Sequence, residues 1–102
     1  MPPISYIVCA TLPDEPTRKR YVQWLRAGHV EAVLRGGADH ASIVEVSDPA
    51  QPIQVETHYR FPNPESFEEY LQHHAPALRR EGLELFGSDS GVSFSRRVGR
   101  VL

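Results

Sequence analysis

The stretch Ile53–Phe61, which reads IQVETHYRF, decides the fold because its side chains alternate between apolar and polar. Successive side chains of a β-strand point to opposite faces of the sheet, so this alternation predicts a strand with one dry and one polar face. The dry face carries Ile53, Val55, Thr57, Tyr59 and Phe61. The polar face carries Gln54, Glu56, His58 and Arg60. The pattern is typical of a central strand that is covered on one side only.

Three further strands are predicted from the chain on either side of this stretch. Residues 4–11 are apolar on both faces, which indicates a strand in the interior of the sheet. Residues 38–47 are more polar and predict an edge strand, joined to the central strand by a turn-rich link as an antiparallel hairpin. Residues 91–101 alternate again and predict the last strand.

Two helices are predicted between these strands, each with an interruption. The first begins after Asp14, a favourable N-cap, and runs to about Leu34, with a kink expected at Gly28 because glycine weakens a helix interior. The second begins after Asn63, another favourable N-cap. Pro76 lacks the amide that the helix needs, so a kink or restart is expected there.

The order strand, helix, strand, strand, helix, strand predicts a ferredoxin-like α+β sandwich, with residues 1–102 as one domain. In that topology both helices cover one face of a four-stranded antiparallel sheet, and the first and third strands are central. The other face is left open, although Ile7 and Cys9 of the first strand point towards it. Because small domains rarely expose such a face, we expect a homodimer that forms through the open face of the sheet, making a dimeric α/β barrel.

The composition narrows the choice of partners. The chain has 11 Lys and Arg against 13 Asp and Glu, a net charge of −2, so neither nucleic acid nor an anionic membrane is an expected partner. Cys9 is the only cysteine, which excludes an intramolecular disulfide. The N-terminus lacks the pattern of a signal peptide, and no apolar run is long enough to cross a bilayer. A cytoplasmic protein is therefore predicted.

Three stretches together resemble a known group of proteins: WLRAGHVEAVL at 24–34, HAPALR at 74–79 and SRRV at 95–98. They resemble a small bacterial domain family of unknown function within the dimeric α/β-barrel superfamily. That superfamily also contains antibiotic-biosynthesis monooxygenases, haem-degrading monooxygenases and stress-responsive barrel proteins. The resemblance implies the ferredoxin-like fold and the homodimer, but one fold hosts many activities.

The resemblance also bears on the cofactor. The haem-degrading and the cofactor-free quinone-forming members use an asparagine on the first strand, which this chain lacks. Its only asparagine is Asn63, already expected as a helix cap. Haem degradation is therefore strongly disfavoured, the quinone-forming activity is disfavoured as well, and no cofactor is expected.

The candidate catalytic residues are two histidines, His29 and His74, which fall on the predicted inward stripes of the two helices. With Trp24, Tyr59 and Tyr70 as ligand-binding neighbours they predict a pocket between helices and sheet, where imidazole can act as acid or base. The alternative is that each histidine is partly buried and bonded to a free carbonyl. Two histidines without a nearby carboxylate or cysteine at ligand spacing do not predict a metal site.

A second candidate cluster lies on the polar face of the central strand, where Glu56, His58 and Arg60 follow one another. With Arg97 or Arg96 from the neighbouring strand, this face is predicted to bind an anion. The alternative is a cross-strand charge ladder that fixes the register of the dimer.

Two functions follow from these candidates, and whether the chain is an enzyme stays open. The first is the binding or conversion of a small apolar or aromatic molecule by a cofactor-free monooxygenase or isomerase. The second is a non-catalytic homodimeric module. A helix–sheet pocket of about 300 Å3 or more favours the first, and a fully packed layer favours the second.

Overall fold

The computed structural model describes residues 2–102. The strands are β1 (Ile4–Leu12), β2 (His40–Glu45), β3 (Ile53–Phe61) and β4 (Ser93–Arg100). The helices are α1 (Glu15–Trp24), α2 (Val30–Arg35), α3 (Pro64–His73) and α4 (Ala75–Leu85). A π-helical turn, Leu25–His29, joins α1 to α2, and a 3-10 turn, Ser88–Ser90, precedes β4. The predicted element order is confirmed, with each predicted helix built from two pieces.

The four strands form one antiparallel sheet in the order β2-β3-β1-β4, which is the ferredoxin-like topology. β1 pairs with β3 from Ile4 opposite Phe61 to Leu12 opposite Ile53. The central positions of β1 and β3 and the edge position of β2 are therefore as predicted, although β2 is shorter than residues 38–47. Within residues 2–102 no helix combines the length and the apolar character that a bilayer span requires. The cytoplasmic location stays a prediction.

The dry face of β3 lies under the helices as its alternation predicts, with Val55, Thr57, Tyr59 and Phe61 all buried. Aromatic side chains fill much of the layer above it. Tyr6 of β1 lies directly opposite Tyr59, and their rings stack with centroids 5.9 Å apart. Offset ring pairs of this kind contribute about 0.5–1.5 kcal/mol beyond the apolar area that they bury.

The first helix is interrupted at Gly28, where the sequence predicts a kink. Asp14 caps α1 by accepting a hydrogen bond from the backbone amide of Thr17 at 2.8 Å. The helix then widens into the π-helical turn, inside which Gly28 has φ 152°, a backbone conformation that side chains with a Cβ rarely adopt. The turn lets the chain continue as α2 with a different phase, and it sets the position of His29.

The second helix breaks at His74, two residues before Pro76. Asn63 caps α3 by accepting from the amide of Ser66 at 2.8 Å, as predicted. His74 has φ −123° and separates α3 from α4, in which Pro76 occupies the first turn. Because helical phase is lost at this break, His74 does not continue the inward stripe of α3. The side chain of His74 is exposed, so its predicted inward position is wrong.

The open face of the sheet is more polar than β1 alone suggests. Ile7 and Cys9 are half-buried on this face, and Val44 of β2 is 40% exposed there. The cross-strand neighbours of Ile7 are His58 on β3 and Arg97 on β4. A small apolar centre is therefore framed by charged and polar side chains.

Replacing Gly28 by alanine should destabilise the protein by about 1–3 kcal/mol, because the positive φ has to be kept by a residue with a Cβ. A Cβ at this position meets no atom within 4 Å, so the cost arises from the backbone alone. Urea unfolding monitored by circular dichroism measures it. Gly99→Ala is the matched control, since a Cβ there also meets nothing and the φ of Gly99 is not positive. Equal midpoints for the two variants would contradict this account of the turn.

Candidate functional site

A narrow cleft opens between the helices and the dry face of the sheet. Four tyrosines line it, together with a tryptophan, a histidine and two arginines: Tyr6, Tyr21, Tyr59, Tyr70, Trp24, His29, Arg79 and Arg96. Counted with its open mouth, the cleft encloses about 470 Å3 of empty space, of which only about 40 Å3 admits the centre of a water molecule. Cavities that enclose drug-sized ligands are larger, at about 300–1,000 Å3. The cleft is therefore smaller than the pocket that favours a small-molecule function, and a ligand can enter only if side chains at the mouth, such as the 58% exposed Leu83, move.

The phenol groups of Tyr21, Tyr59 and Tyr70 in the cleft keep their protons at any ordinary pH. Burial raises the pKa of Tyr21 and of Tyr70 to about 12, and it raises the pKa of Tyr59 further. The hydroxyl of Thr57 lies near the phenols of Tyr21 and Tyr59 and opposes their shifts, although it makes no hydrogen bond of good geometry. These tyrosines can therefore donate hydrogen bonds to a ligand but cannot accept its proton.

The histidine that lines the cleft is His29. Its ring stacks on Trp24 with centroids 4.1 Å apart and an interplanar angle of 25°. Its Nδ1 atom is buried and has no hydrogen-bond partner. Burial lowers the pKa of His29; Glu81 opposes the shift and Arg96 adds to it. A neutral imidazole with a free nitrogen is the form that can remove a proton from a ligand.

Two arginines meet above Tyr6 at the mouth of the cleft. Arg79 donates from Nη2 to the Tyr6 hydroxyl at 3.2 Å, and Arg96 donates from Nε to the same oxygen, also at 3.2 Å. Arg79 comes from α4 and Arg96 from β4, so the contact joins the two layers.

The three stretches that carry the family resemblance converge on this cleft. Residues 24–34 contribute Trp24 and His29, residues 74–79 contribute Leu78 and Arg79, and residues 95–98 contribute Arg96. The segments are distant in sequence and belong to three different elements. The cleft is therefore lined by residues from all three stretches.

The structure divides the predicted site residues among three places. Trp24, His29, Tyr59 and Tyr70 come together in the cleft. His74 lies outside it, with its ring parallel to that of Tyr70 at 6.4 Å and an interplanar angle of 9°.

The remaining predicted residues lie on the open face, on the opposite side of the sheet. There His58 Nε2 lies 2.8 Å from Glu56 Oε1, and Arg97 faces the same side across β1. Arg60 bonds Asp39 at 3.1 Å. His58 and Arg97 therefore cannot share a ligand with His29.

Arg96 belongs to the cleft and not to this charged cluster, so only Arg97 of the two adjacent arginines has the predicted neighbourhood. Cys9 also lies on the open face, and burial followed by the charge of Glu56 raises the pKa of its thiol. Residues 2–102 contain no group of three His, Cys, Asp or Glu side chains placed to hold a metal ion.

Sequence reasoning missed Tyr6, Tyr21 and the role of Arg96. The tyrosines have the spacing of ordinary core residues on β1 and α1, and nothing local distinguishes them. Only the family resemblance of residues 74–79 and 95–98 draws attention to Arg79 and Arg96. The contacts of these arginines with Tyr6 span 73 and 90 residues of sequence, so no local pattern predicts them.

The sheet order and the helix–sheet cleft define a protein of the ferredoxin-like class. Within that class the chain belongs to the family of domains of unknown function DUF4286, whose model matches residues 4–101. No curated protein matches the chain in sequence.

Solved structures with the same fold include proteins of several kinds. A dimeric ferredoxin-like protein from an uncultured marine organism is 14% identical, with a TM-score of 0.72 over 100% of this chain and 97% of that one. SnoaB, a cofactor-independent oxygenase from Streptomyces nogalater, is 9% identical, with a TM-score of 0.70 over 100% and 95%. An ethyl tert-butyl ether degradation family protein from Bacillus halodurans is 8% identical, with a TM-score of 0.75 over 98% and 99%. At these identities the likeness shows the fold alone.

The imidazole of His29 should titrate below the ordinary histidine value of 6.5, because burial disfavours its charged form. As the pH falls, the unfolded chain takes up this proton before the folded chain does, so stability decreases below about pH 6.5 until the folded-state pKa is passed. NMR titration of the histidine rings measures the midpoint, with His29→Gln assigning the resonance. The same variant should lose less stability than the wild type between about pH 7.5 and about pH 5.5. An upward-shifted midpoint would contradict the burial argument.

Proposed function

We propose that this protein binds a small aromatic molecule in the helix–sheet cleft and converts it by proton abstraction at His29. The observation that carries the proposal is the buried Nδ1 atom of His29, which has no hydrogen-bond partner in a ring stacked on Trp24. A buried polar atom without a partner is costly, and a catalytic role is one reason why a protein retains such an atom. The likeness in fold to a cofactor-independent oxygenase supports the same direction.

The chemistry of the cleft follows from its protonation states. Neutral His29 accepts a proton from an acidic C–H group of the bound molecule, and the phenols of Tyr21 and Tyr70, which keep their protons, donate hydrogen bonds to the oxyanion that forms. The resulting electron-rich anion can reduce O2 itself. One CH2 group and one O2 then give one carbonyl group and one water, with all electrons supplied by the substrate. Without O2 the same proton transfer gives an isomerisation.

The width of the cleft limits the ligand. Gly82 of α4 faces Trp24, and a Cβ built there would lie 3.3 Å from the indole ring. Glycine lets α4 pack close to Trp24 at this point, and any side chain at position 82 would narrow the cleft further. A flat molecule fits this geometry better than a bulky one.

Anthrone is a suitable probe, because its CH2 group is acidic and its oxidation to a quinone consumes O2. We expect the wild type to accelerate the exchange of the CH2 hydrogens into D2O under argon, and O2 uptake in air. His29→Gln should lower both rates by about 10²–10⁴-fold, the usual contribution of a general base. His74→Gln is the control and should keep both rates, since His74 lies outside the cleft. Quenching of Trp24, the only tryptophan, reports binding in each variant.

Failure of anthrone and smaller analogues to change the emission of Trp24 would contradict the cleft proposal and favour the non-catalytic module. Binding with equal rates in the wild type and His29→Gln would keep the binding site and remove His29 as the base. O2 uptake distinguishes a monooxygenase from an isomerase, because an isomerase accelerates exchange alone.

We propose further that two copies pair through the open face of the sheet. The half-buried Ile7 lies at the centre of that face, between His58 and Arg97. Two neighbours in fold are described as dimeric ferredoxin-like proteins, which supports the pairing. In this arrangement the charge ladder of β3 fixes the register between the copies.

Ile7→Glu should weaken the dimer at least about tenfold, because the cost of removing a carboxylate from water at the centre of the interface exceeds its attraction to Arg97. Sedimentation equilibrium at micromolar concentration measures the change. Leu85→Glu serves as the control, since Leu85 lies on α4 and is already 56% exposed. A wild-type protein that sediments as a monomer would rule out this pairing.

A further inference from the structure

Among residues 2–102 only Arg18, Arg35 and Arg60 form an ion pair with a carboxylate, and the two arginines at the mouth of the cleft do not. Arg18 pairs with Glu15 and Glu45, and Arg60 pairs with Asp39. Among residues 2–102, no carboxylate lies within 4 Å of Arg79 or Arg96 in an ion pair of this kind. Both instead donate to the same uncharged oxygen of Tyr6.

Two positive charges held at one oxygen repel each other unless an anion lies between them. Their field extends into the cleft. Burial raises the pKa of Tyr70 to about 12, and both Arg79 and Arg96 act against that shift. Arg96 also acts against the raised pKa of Tyr21. The mouth of the cleft is therefore positive, while its inner wall is aromatic.

The donors at this point converge on one place. Each guanidinium has five N–H groups and uses one of them on Tyr6, so the others remain for a ligand. The Tyr6 oxygen accepts twice, which leaves its own O–H to donate. Guanidinium groups bind carboxylates and other planar oxyanions through short, charge-assisted hydrogen bonds. The ring of Tyr6, stacked on Tyr59, continues from this point into the apolar part of the cleft.

We propose that the ligand of the cleft is an aromatic acid. Its oxyanion, which is a carboxylate or a phenolate, is bound by Arg79 and Arg96, and its ring lies among the tyrosines. The inference rests on the proposed function, in that it requires a small molecule in the cleft. It adds the chemical class of that molecule and the two residues that select it. The anion at the mouth places the ring along the wall that ends at Trp24 and His29.

The test uses the indole N–H resonance of Trp24, which is a single signal because the chain has one tryptophan. The full-length protein is titrated with benzoate, benzamide and acetate, and with 2-naphthoate and 2-naphthamide as a larger pair. We expect each aromatic carboxylate to bind at least about tenfold more tightly than its amide, because hydrogen bonds to charged groups are stronger than those between neutral groups. Acetate should bind more weakly than benzoate, since it has no ring.

Matched variants assign the preference to the two arginines. Arg79→Gln and Arg96→Gln should each reduce the preference for the carboxylate by about tenfold while leaving binding of the amide unchanged. Arg80→Gln and Arg100→Gln are the controls, because each removes an arginine of the same element, α4 or β4, that does not line the cleft. Unfolding midpoints confirm that all four variants are folded, as expected for exposed side chains.

The outcomes separate the anion inference from the cleft proposal. Equal binding of carboxylates and amides, unchanged in the arginine variants, would overturn the aromatic acid and leave the cleft as a binding site. A shift with acetate as strong as with benzoate would overturn the aromatic part of the ligand. No shift of Trp24 with any probe would overturn both the proposed function and the inference built on it.

Discussion

The register of β1 between β3 and β4 is the constraint on which the core and the cleft both depend. It places Tyr6 opposite Tyr59 on one side and opposite Val98 on the other. Arg96, two residues before Val98, then lies on the same face and diagonal to Tyr6, close enough for its long side chain to reach the phenol oxygen. A slip of one residue would turn Tyr6 to the open face and Ile7 to the helices. The aromatic layer and the two-arginine contact would be lost together.

The fold could be predicted from the sequence because the signals that define it are local. Alternation within Ile53–Phe61, caps at Asp14 and Asn63 and the glycine at position 28 each act over a few residues, and the structure has each feature where expected. The cleft depends on contacts between distant segments, which local patterns do not contain. His74 shows the limit most clearly, because the sequence predicts the interruption at Pro76, whereas the break lies at His74, the last residue of the predicted stripe.

Several departures from ordinary local structure occur together at one wall of the cleft. Gly28 adopts a positive φ, the helix around it widens to a π-helical turn, and the next residue, His29, keeps a buried nitrogen without a partner. A glycine inside a helix costs about 1 kcal/mol relative to alanine, and a buried polar group without a partner costs about 1–3 kcal/mol. Proteins retain such costs where function requires them. The ion pairs and helix caps elsewhere in residues 2–102 are not accompanied by such a group of costly local features.

The sheet separates two surfaces that could otherwise compete for the same residues. Arg96 and Arg97 are adjacent in sequence but face opposite sides of the sheet, so Arg96 lines the cleft and Arg97 lies on the open face. For the same reason a partner on the open face does not close the cleft. Pairing would instead hold β1, β3 and β4 in one register, and that register keeps Arg96 over Tyr6. A homodimeric module and a small-molecule site are therefore compatible functions of one chain, and the first supports the geometry of the second.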